Sequence, residues 1–209
     1  MPTLADLVTA VAADLQDAAY TQWSVDDHEA NIRRALANYS TLNPRRASAV
    51  LDTVAGGREI DISSLAALEV VDLWYPWDPA AQAYPPPRPP FTLLDAGTLY
   101  LETDSAPLGA ASDRLRLFYL TAHTIEDLDG ATATTLDDAG VALVTLLATA
   151  SAAMQRCQST IGRVTVSNWT PGQLLDWARA RQAQADAACE ALRRRLAAAG
   201  EARVHWDGV

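Results

Sequence analysis

The stretch Arg114-Leu-Arg-Leu-Phe-Tyr-Leu-Thr-Ala122 alternates between apolar and other residues along its length. Leu115, Leu117 and Tyr119 therefore fall on one side of the chain, which is typical of a strand with one buried face. This period of two begins near Ala47, whereas apolar residues before and after this block recur at three- and four-residue spacing. The sequence thus predicts an α+β fold, in which a helical bundle from the N- and C-terminal helices carries an inserted antiparallel β-module.

Helical patterns flank the β-module on both sides, and capping residues mark where helices begin. The predicted helices are Leu4 to Ala19 with the capping box Thr3/Asp6, a second helix after the N-cap Ser24, a run from the cap Asp138 to about Thr160, and a long helix from Thr170-Pro171 to Gly200. The resulting parts of the chain are 1–46, the N-terminal helices; 47–122, the β-module; 123–200, the closing helices; and 201–209, a C-terminal arm.

Turn residues organise the predicted β-module. Gly56-Gly57 tolerates the positive φ of a tight turn and predicts a hairpin between the strands on either side of it. Asp95-Ala96-Gly97 predicts a second hairpin. Prolines crowd residues 78–90, which predicts an extended, polyproline-like loop. The predicted strands are Val50–Val54, Arg58–Ser63, Leu68–Tyr75, Phe91–Leu94, Thr98–Glu102 and Arg114–Ala122.

The charged residues exclude several classes of enzyme. The 209-residue chain has 16 basic and 26 acidic residues and a net charge of −10, and every basic residue is arginine. Walker-loop ATPases, protein kinases, pyridoxal enzymes and Schiff-base aldolases each need a lysine, so these classes are excluded. The acidic balance also predicts that the protein does not bind nucleic acid or anionic lipid tightly.

Residues that ligate metals or act as nucleophiles are few and scattered. Cys157 and Cys189 lie 32 residues apart in helical patterns, so we predict that the chain has no zinc site and no disulfide framework. This use of cysteine fits a reducing cytoplasm. His28, His123 and His205 lie in different parts of the chain without a second histidine at metal-binding spacing. No catalytic motif is present either. We therefore predict no enzymatic activity, no catalytic residues, no metal site and no cofactor.

Two segments admit two interpretations each. Glu126, Asp127 and Asp129 before Gly130 resemble part of a calcium loop, but the alternate ligands and the distal Glu are missing, which favours an acidic turn. Residues 139–154 carry no charge, yet a bilayer needs about 20 strongly apolar residues, so we predict a buried helix and no membrane association. The first twenty residues contain no arginine, the reverse of the basic start of a signal peptide.

Trp74, Tyr75 and Trp77 place three aromatic residues at the end of one predicted strand, where they cannot all point into one core. One interpretation is a surface for stacking sugars or for contacting another protein. The other is that Trp74 lies in the core and the remaining rings pack beneath the proline loop. Tyr84 and Arg88 flank Pro85 to Pro87 of that loop, a pattern that resembles the ligands of domains with aromatic-lined grooves. We expect instead that this stiff segment reaches a neighbouring subunit or a tail protein.

The C-terminal arm is the second candidate interface. Arg203, Val204, His205 and Trp206 follow the expected helix end at Gly200, with few residues left to pack them. Because tryptophan and arginine are frequent interface anchors, we predict that these residues contact another subunit. The competing prediction is that Trp206 folds back over the end of the bundle.

The order of the predicted elements and four stretches of sequence make the chain resemble the head-to-tail adaptor, or connector, proteins of tailed bacteriophages and prophages. The order of helices, an inserted β-module and closing helices is similar over most of the chain, whereas similarity in the amino-acid sequence itself covers about forty residues. The stretches are Ile32-Arg-Arg-Ala-Leu-Ala-Asn-Tyr39, Leu73-Trp-Tyr-Pro76, Gly97-Thr-Leu-Tyr100 and Leu117-Phe-Tyr-Leu-Thr-Ala-His-Thr-Ile-Glu-Asp-Leu-Asp-Gly-Ala-Thr-Ala-Thr-Thr135.

The resemblance implies a structural subunit of the virion neck that assembles in the bacterial cytoplasm and has no enzymatic activity. It implies a ring, dodecameric like the portal, that docks beneath the portal protein, extends the DNA channel and presents a surface for tail or stopper proteins. It also implies that the C-terminal arm, with Arg203, Val204, His205 and Trp206, binds the portal or a neighbouring subunit. DNA would pass through an acidic ring without being held. Arg33, Arg34 and Arg193 to Arg195 would then pair with acidic residues of neighbouring copies, or else only cover solvated helix faces.

Two other functions remain open from the residues alone. The alternative of a different class is a carbohydrate- or receptor-binding module that uses Trp74, Tyr75 and Trp77. An enzyme with a pair of catalytic carboxylates is a third hypothesis, but no motif links any two acidic residues in this sequence.

Overall fold

The computed structural model describes residues 1–78, 80, 85–159 and 170–204. The chain divides into two compact units, of which the helical unit comprises Met1–Asn43 with His123–Val209 and the β-unit comprises Pro44–Ala122. The predicted α+β fold, with a β-unit inserted between helices from both ends of the chain, is therefore confirmed. The helices are α1 Leu4–Asp14, α2 Val25–Leu42, α3 Asp138–Ser159 and α4 Pro171–Val204, and the strands are β1 Arg45–Leu51, β2 Glu59–Asp61, β3 Ala67–Trp77, β4 Phe91–Leu93, β5 Thr98–Leu101 and β6 Arg114–Thr121.

The helical unit has a single hydrophobic core, in which α3 packs against α1, α2 and α4. By length and composition, α3 is the one helix among the described residues that could cross a membrane. Eight of its 22 residues are buried, as is usual for the central helix of a bundle. The predicted apolar faces of the neighbouring helices point into this core, with Ile32, Ala35, Leu36 and Tyr39 on α2 and Ala178, Cys189 and Leu192 on α4.

Side-chain caps fix the starts of the two N-terminal helices. The Thr3 backbone N–H donates to the Asp6 carboxylate over 2.8 Å, and the Asp6 N–H donates to the Thr3 hydroxyl over 3.4 Å. Ser24 and Asp27 form the same reciprocal pair, with distances of 2.9 and 3.2 Å. Each box satisfies two backbone donors that the helix leaves free. Both predicted N-caps are confirmed.

The first helix is shorter than predicted. It ends at Asp14 instead of Ala19, because Gln16 adopts a positive φ of 56° and the carboxylate of Asp17 forms hydrogen bonds with the backbone of the residues after it. Asp17 accepts hydrogen bonds from the N–H groups of residues 21, 22 and 23. An aspartate that satisfies backbone donors in this way offers an alternative to continuing the helix.

The C-terminal helices also differ from prediction at two ends. Asp137, one residue before the expected cap, accepts the N–H of Gly140 over 2.7 Å and so caps α3. Thr170 and Gln173 cap α4 reciprocally, as predicted for the Thr-Pro start. The predicted stop at Gly200 is wrong, because α4 continues to Val204. A glycine weakens a helix by only about 1 kcal/mol, too little to end one inside an alanine-rich run.

The β-unit contains two three-stranded antiparallel sheets, with strand orders β1-β6-β3 and β2-β5-β4. The buried side chains of both sheets form one core, so the inner faces meet and the two outer faces lie on opposite sides of the β-unit. The predicted hairpin at Asp95-Ala96-Gly97 is confirmed by the pairing of β4 with β5. The core residues are Ile60, Ile62, Leu73, Tyr75, Leu99, Leu101, Leu115 and Leu117.

The predicted hairpin around Gly56-Gly57 is wrong. A turn does form there, with Gly56 at a φ of +78° and the Gly57 N–H donating to the Val54 carbonyl. The flanking strands do not pair with each other, because β1 pairs with β6 and β2 pairs with β5. The turn therefore passes the chain from one sheet to the other.

Candidate functional site

Three aromatic rings surround one guanidinium group on the outer face of sheet β1-β6-β3. We call Trp74, Trp77, Phe118 and Arg116 the aromatic–arginine cluster. The Trp74 ring centroid lies 5.3 Å from that of Trp77 and 4.7 Å from that of Phe118. The guanidinium carbon of Arg116 lies 4.8 to 5.3 Å from all three centroids. At these distances the positive charge is attracted to the ring faces, so the cluster holds its own geometry.

The register of β3 and β6 explains how both tryptophans reach the same face. In a regular strand, residues three apart point to opposite sides. A register shift lies between Trp74 and Trp77, so Trp74 pairs with Arg116 and Trp77 pairs with Arg114, two residues of one face of β6. The alternation in β6 indicated that its arginines point outward. Pro76, which lies inside this register shift, is the signal in the sequence for the bulge in β3, because proline within a strand occurs at edges and bulges.

Tyr75 belongs to the opposite face and does not join this surface. It is only 7% exposed and lies in the core between the sheets. Burial raises the pKa of the Tyr75 hydroxyl, and the hydrogen bond and charge of the Asp113 carboxylate act in the same direction. The expectation that Tyr75 contacts another subunit is therefore wrong, as is the interpretation that placed Trp74 in the core, since Trp74 is partly exposed.

Asp113 ties Tyr75 to the neighbouring loops. Its carboxylate accepts the backbone N–H of Leu108 and, over 3.3 Å, that of Gly109. Its backbone carbonyl accepts the Thr53 hydroxyl over 2.6 Å. These contacts give the buried carboxylate hydrogen-bond partners, which a buried charge requires. Asp113 is thus a structural residue of the β-unit.

The proline-rich segment borders the edge of β3. The Pro87 carbonyl accepts the N–H of Tyr75 over 3.1 Å, so this segment covers part of the strand edge. Arg88 is exposed and forms an ion pair with Asp72 over 3.5 Å, which occupies it within its own chain. Tyr84, the other residue predicted to make contacts from this loop, lies outside the described residues.

The predicted C-terminal interface is placed only in part. Arg203 and Val204 belong to the last turn of α4, which corrects the expectation that the helix ends at Gly200 before these residues. His205 and Trp206 lie outside the described residues. The contact predicted for these four residues stays a prediction.

Several arginines predicted to pair across subunits have partners within the chain. Arg33 donates to both carboxylate oxygens of Asp129 over 2.8 to 3.1 Å. This pair lowers the pKa of Asp129 through the hydrogen bond from Arg33, and it anchors the turn predicted to be acidic. Arg193 and Arg194 both contact Glu190 on the same helix, at 3.6 and 3.2 Å.

Neither the histidines nor the cysteines of the described residues form a metal site, since no group of three ligating residues occurs there. His28 is fully buried, and neither ring nitrogen has a hydrogen-bond partner in that part of the chain. His123 contacts the Thr135 hydroxyl over 3.2 Å and the Asn43 carbonyl over 3.0 Å, which joins two segments of the helical unit. Burial raises the pKa of the Cys157 thiol, which opposes formation of a reactive thiolate.

The helical unit also contains an open apolar groove of about 470 Å³ between α3 and α4. Alanine and leucine side chains form most of its wall, and Tyr39 and Arg195 supply its polar groups. Its shape gives no orientation to a reacting group. The aromatic–arginine cluster, with its partly exposed rings and its guanidinium group, is therefore the stronger candidate for recognition of a partner.

Comparisons with known proteins add no evidence about this site. No protein-family model matches the chain, and no curated protein matches it.

Proposed function

We propose that the protein is a structural head-to-tail adaptor of a tailed phage or prophage. In this role it is one subunit of a dodecameric ring in the virion neck. The ring docks under the portal protein, extends the DNA channel and presents the surface to which tail or stopper proteins attach. The protein then has no enzymatic activity, and assembly takes place in the cytoplasm of the host bacterium.

The observation that carries this proposal is the division of the chain. Helices from both ends form one unit, and residues Pro44–Ala122 form a separate β-unit inserted between α2 and α3. The resembling adaptors have this order of elements. The matching stretches also fall at structural junctions, since residues 117–135 run from β6 into the turn that precedes α3.

The charge of the chain supports the role of the ring as a channel. A net charge of −10 without any lysine gives DNA little attraction to the wall, because tight binding depends on neutralising phosphates with basic residues. DNA can then move through the ring instead of being retained. A gel shift with duplex DNA at physiological salt should show no complex.

The deciding experiment is reconstitution with a portal protein, sought among the products of the genes that neighbour this one. We expect a monomer or weak associations for the protein alone and a closed ring when portal is added, as seen by negative-stain electron microscopy. A closed dimer in both conditions would contradict the proposal. Truncation after Val204 removes residues 205–209 and leaves α4 complete, so loss of portal binding at an unchanged melting temperature would assign portal contact to these residues.

The alternative of a carbohydrate-binding module is less well supported by the geometry. A sugar stacks on a free ring face, whereas Arg116 already lies over the rings of Trp74, Trp77 and Phe118. Titration with a glycan panel, followed by tryptophan fluorescence, separates the two functions. The adaptor role predicts no saturable change in emission.

A further inference from the structure

The two outer faces of the β-unit carry different chemistry. On sheet β1-β6-β3, the outer face holds the aromatic–arginine cluster together with Arg46 and the exposed Val50 of β1. Three carboxylates share this face: Asp52 is paired with Arg114 and Asp72 with Arg88, whereas Glu69, opposite Leu120, forms no ion pair among the described residues. Neither Arg46 nor Arg116 forms an ion pair within the part of the chain that the structure describes. A groove of about 220 Å³ lies beside Arg46 and Phe118. We call this surface the arginine face.

The outer face of sheet β2-β5-β4 is acidic. Glu59 pairs with Tyr100 and Asp61 pairs with Thr98, so both carboxylates point away from the buried Ile60 and Leu99. Two further exposed carboxylates contact threonines of this face. Glu102 accepts the Thr92 hydroxyl over 2.5 Å, and Asp95 accepts the Thr98 hydroxyl over 3.2 Å. We call Glu59, Asp61, Asp95 and Glu102 the carboxylate face.

The carboxylate face also lacks compensating charge. None of its four acidic residues forms an ion pair with an arginine among the described residues. The two faces lie on opposite sides of one small unit, because the sheets share the core between them. Among the described residues, each copy therefore presents two unpaired cations and one unpaired carboxylate, Glu69, on one side of its β-unit, and four unpaired carboxylates on the other.

We propose that the β-unit of one copy docks its arginine face on the carboxylate face of a second copy. Complementary charge sets the orientation of such a contact, and the partly exposed Trp74 and Trp77 supply the aromatic surface that interface centres favour. The contact joins two different surfaces, so it leaves one face of each copy free for the next. Repeated contacts of this kind generate a ring when the rotation closes.

A contact between identical faces is disfavoured by the same charges. Two carboxylate faces would bring eight carboxylates together, four from each copy, and two arginine faces in contact would leave all of those carboxylates without a cationic partner. Like charges that meet in an interface suppress the wrong pairing. The geometry thus selects head-to-tail contact over a two-fold dimer. This inference deepens the proposed adaptor function, because a ring subunit needs contacts of this head-to-tail kind.

Cross-linking tests the contact without the portal, so its result is independent of the portal experiment. Ser48 is exposed on the arginine face opposite Phe118, and Thr92 is exposed on the carboxylate face opposite Tyr100. In a background with Cys157→Ala and Cys189→Ala, the variant with both Ser48→Cys and Thr92→Cys is treated with a short bis-maleimide. We expect a ladder of dimers, trimers and larger species on a denaturing gel.

Single-cysteine variants provide the matched controls. Ser48→Cys alone and Thr92→Cys alone should stay monomeric, and an equal mixture of the two should give dimers and nothing larger. A strong dimer from either single variant would show contact between identical faces and would overturn the proposal. The absence of a ladder from the double variant, at concentrations where both thiols are fully labelled by a monovalent maleimide, would overturn it as well.

Charge reversal then tests the electrostatic origin of the ladder. Arg46→Glu is suited to this because Arg46 is exposed and lies outside the core, so folding should not change. Its ladder should weaken by about tenfold and be largely restored when it is mixed with a Glu59→Arg variant that carries both cysteines. A ladder unaffected by Arg46→Glu and Arg116→Glu, or by 0.5 M salt, would show that the charged faces do not direct the association.

Discussion

Replacing Asp17 with alanine tests how the loop between α1 and α2 is held. The Asp17 carboxylate is 3% exposed and accepts four hydrogen bonds. The donors are the Thr21 N–H and hydroxyl at 2.9 and 2.7 Å, the Gln22 N–H at 2.8 Å and the Trp23 N–H at 3.0 Å. Trp23 is itself buried, and its indole N–H donates to the Ala152 carbonyl of α3 over 3.2 Å. The carboxylate therefore positions a residue that joins this loop to the core.

The expected loss follows from which donors water can reach. Thr21 and Gln22 are at least partly exposed and regain hydrogen bonds with solvent, whereas the N–H of buried Trp23 is left without an acceptor. One unsatisfied buried donor and the lost bonds to a charged group together predict a decrease of about 3 kcal/mol in the free energy of unfolding. For a chain of this size, that corresponds to a melting temperature lower by roughly 6–12 °C.

The measurement is urea unfolding followed by circular dichroism and tryptophan fluorescence. Asp17→Asn keeps one acceptor oxygen and the shape of the side chain, so it should lose about half as much. Burial acts to raise the pKa of Asp17, but its hydrogen bonds together outweigh burial, and the pKa is lowered. The stabilisation is therefore complete above the unfolded pKa of about 3.9 and is lost as the pH falls through the folded value. A change smaller than about 0.5 kcal/mol at pH 7, the usual range for surface substitutions, would refute this reasoning.

His28 and Gly140 give two further predictions about stability. Burial lowers the pKa of His28, although Asp17 and Asp27 oppose the shift, so the unfolded chain takes up a proton first. Stability should fall as the pH drops below about 6.5, and His28→Leu should remove most of this dependence in urea unfolding at pH 8 and pH 5. Gly140→Ala should destabilise α3 by about 1–2 kcal/mol despite the higher helix propensity of alanine, because its Cβ would lie 2.8 Å from the Tyr39 hydroxyl. Gly172→Ala is the matched control in open space, and we expect its melting temperature to rise.

Local signals predicted the elements that depend on neighbouring residues. Thr3 and Ser24 identified two helix starts because a capping box spans only four residues. Asp95-Ala96-Gly97 identified a hairpin because its two strands are adjacent in the chain. Gly56-Gly57 failed as a hairpin signal because β1 finds its partner in β6, more than sixty residues away, and no local residue records that choice.

The candidate site depends on the same distant pairing. The sequence showed that Trp74 and Trp77 are close in the chain, but not that a bulge turns both toward Arg116. It also could not show that Tyr75 is the buried member of the group. Composition also does not show where charges lie on the folded chain, since a net charge of −10 is a sum over all residues, including both faces of the β-unit.

The distance over which charges act limits how far the net charge can influence assembly. At 0.1 M salt the Debye length is about 10 Å, so charges elsewhere on two approaching copies are largely screened when their β-units touch. The groups that remain unscreened are those in the contact itself, where Arg46 and Arg116 would meet Glu59 and Asp61. Net charge then bears on solubility and on the predicted lack of DNA binding, whereas in the proposed contact the separation of charge between the two sheets decides which surfaces of identical copies attract. In the proposed adaptor, a chain that is acidic overall would in this way bind its own copies in one orientation, while its acidic balance would leave DNA free to pass.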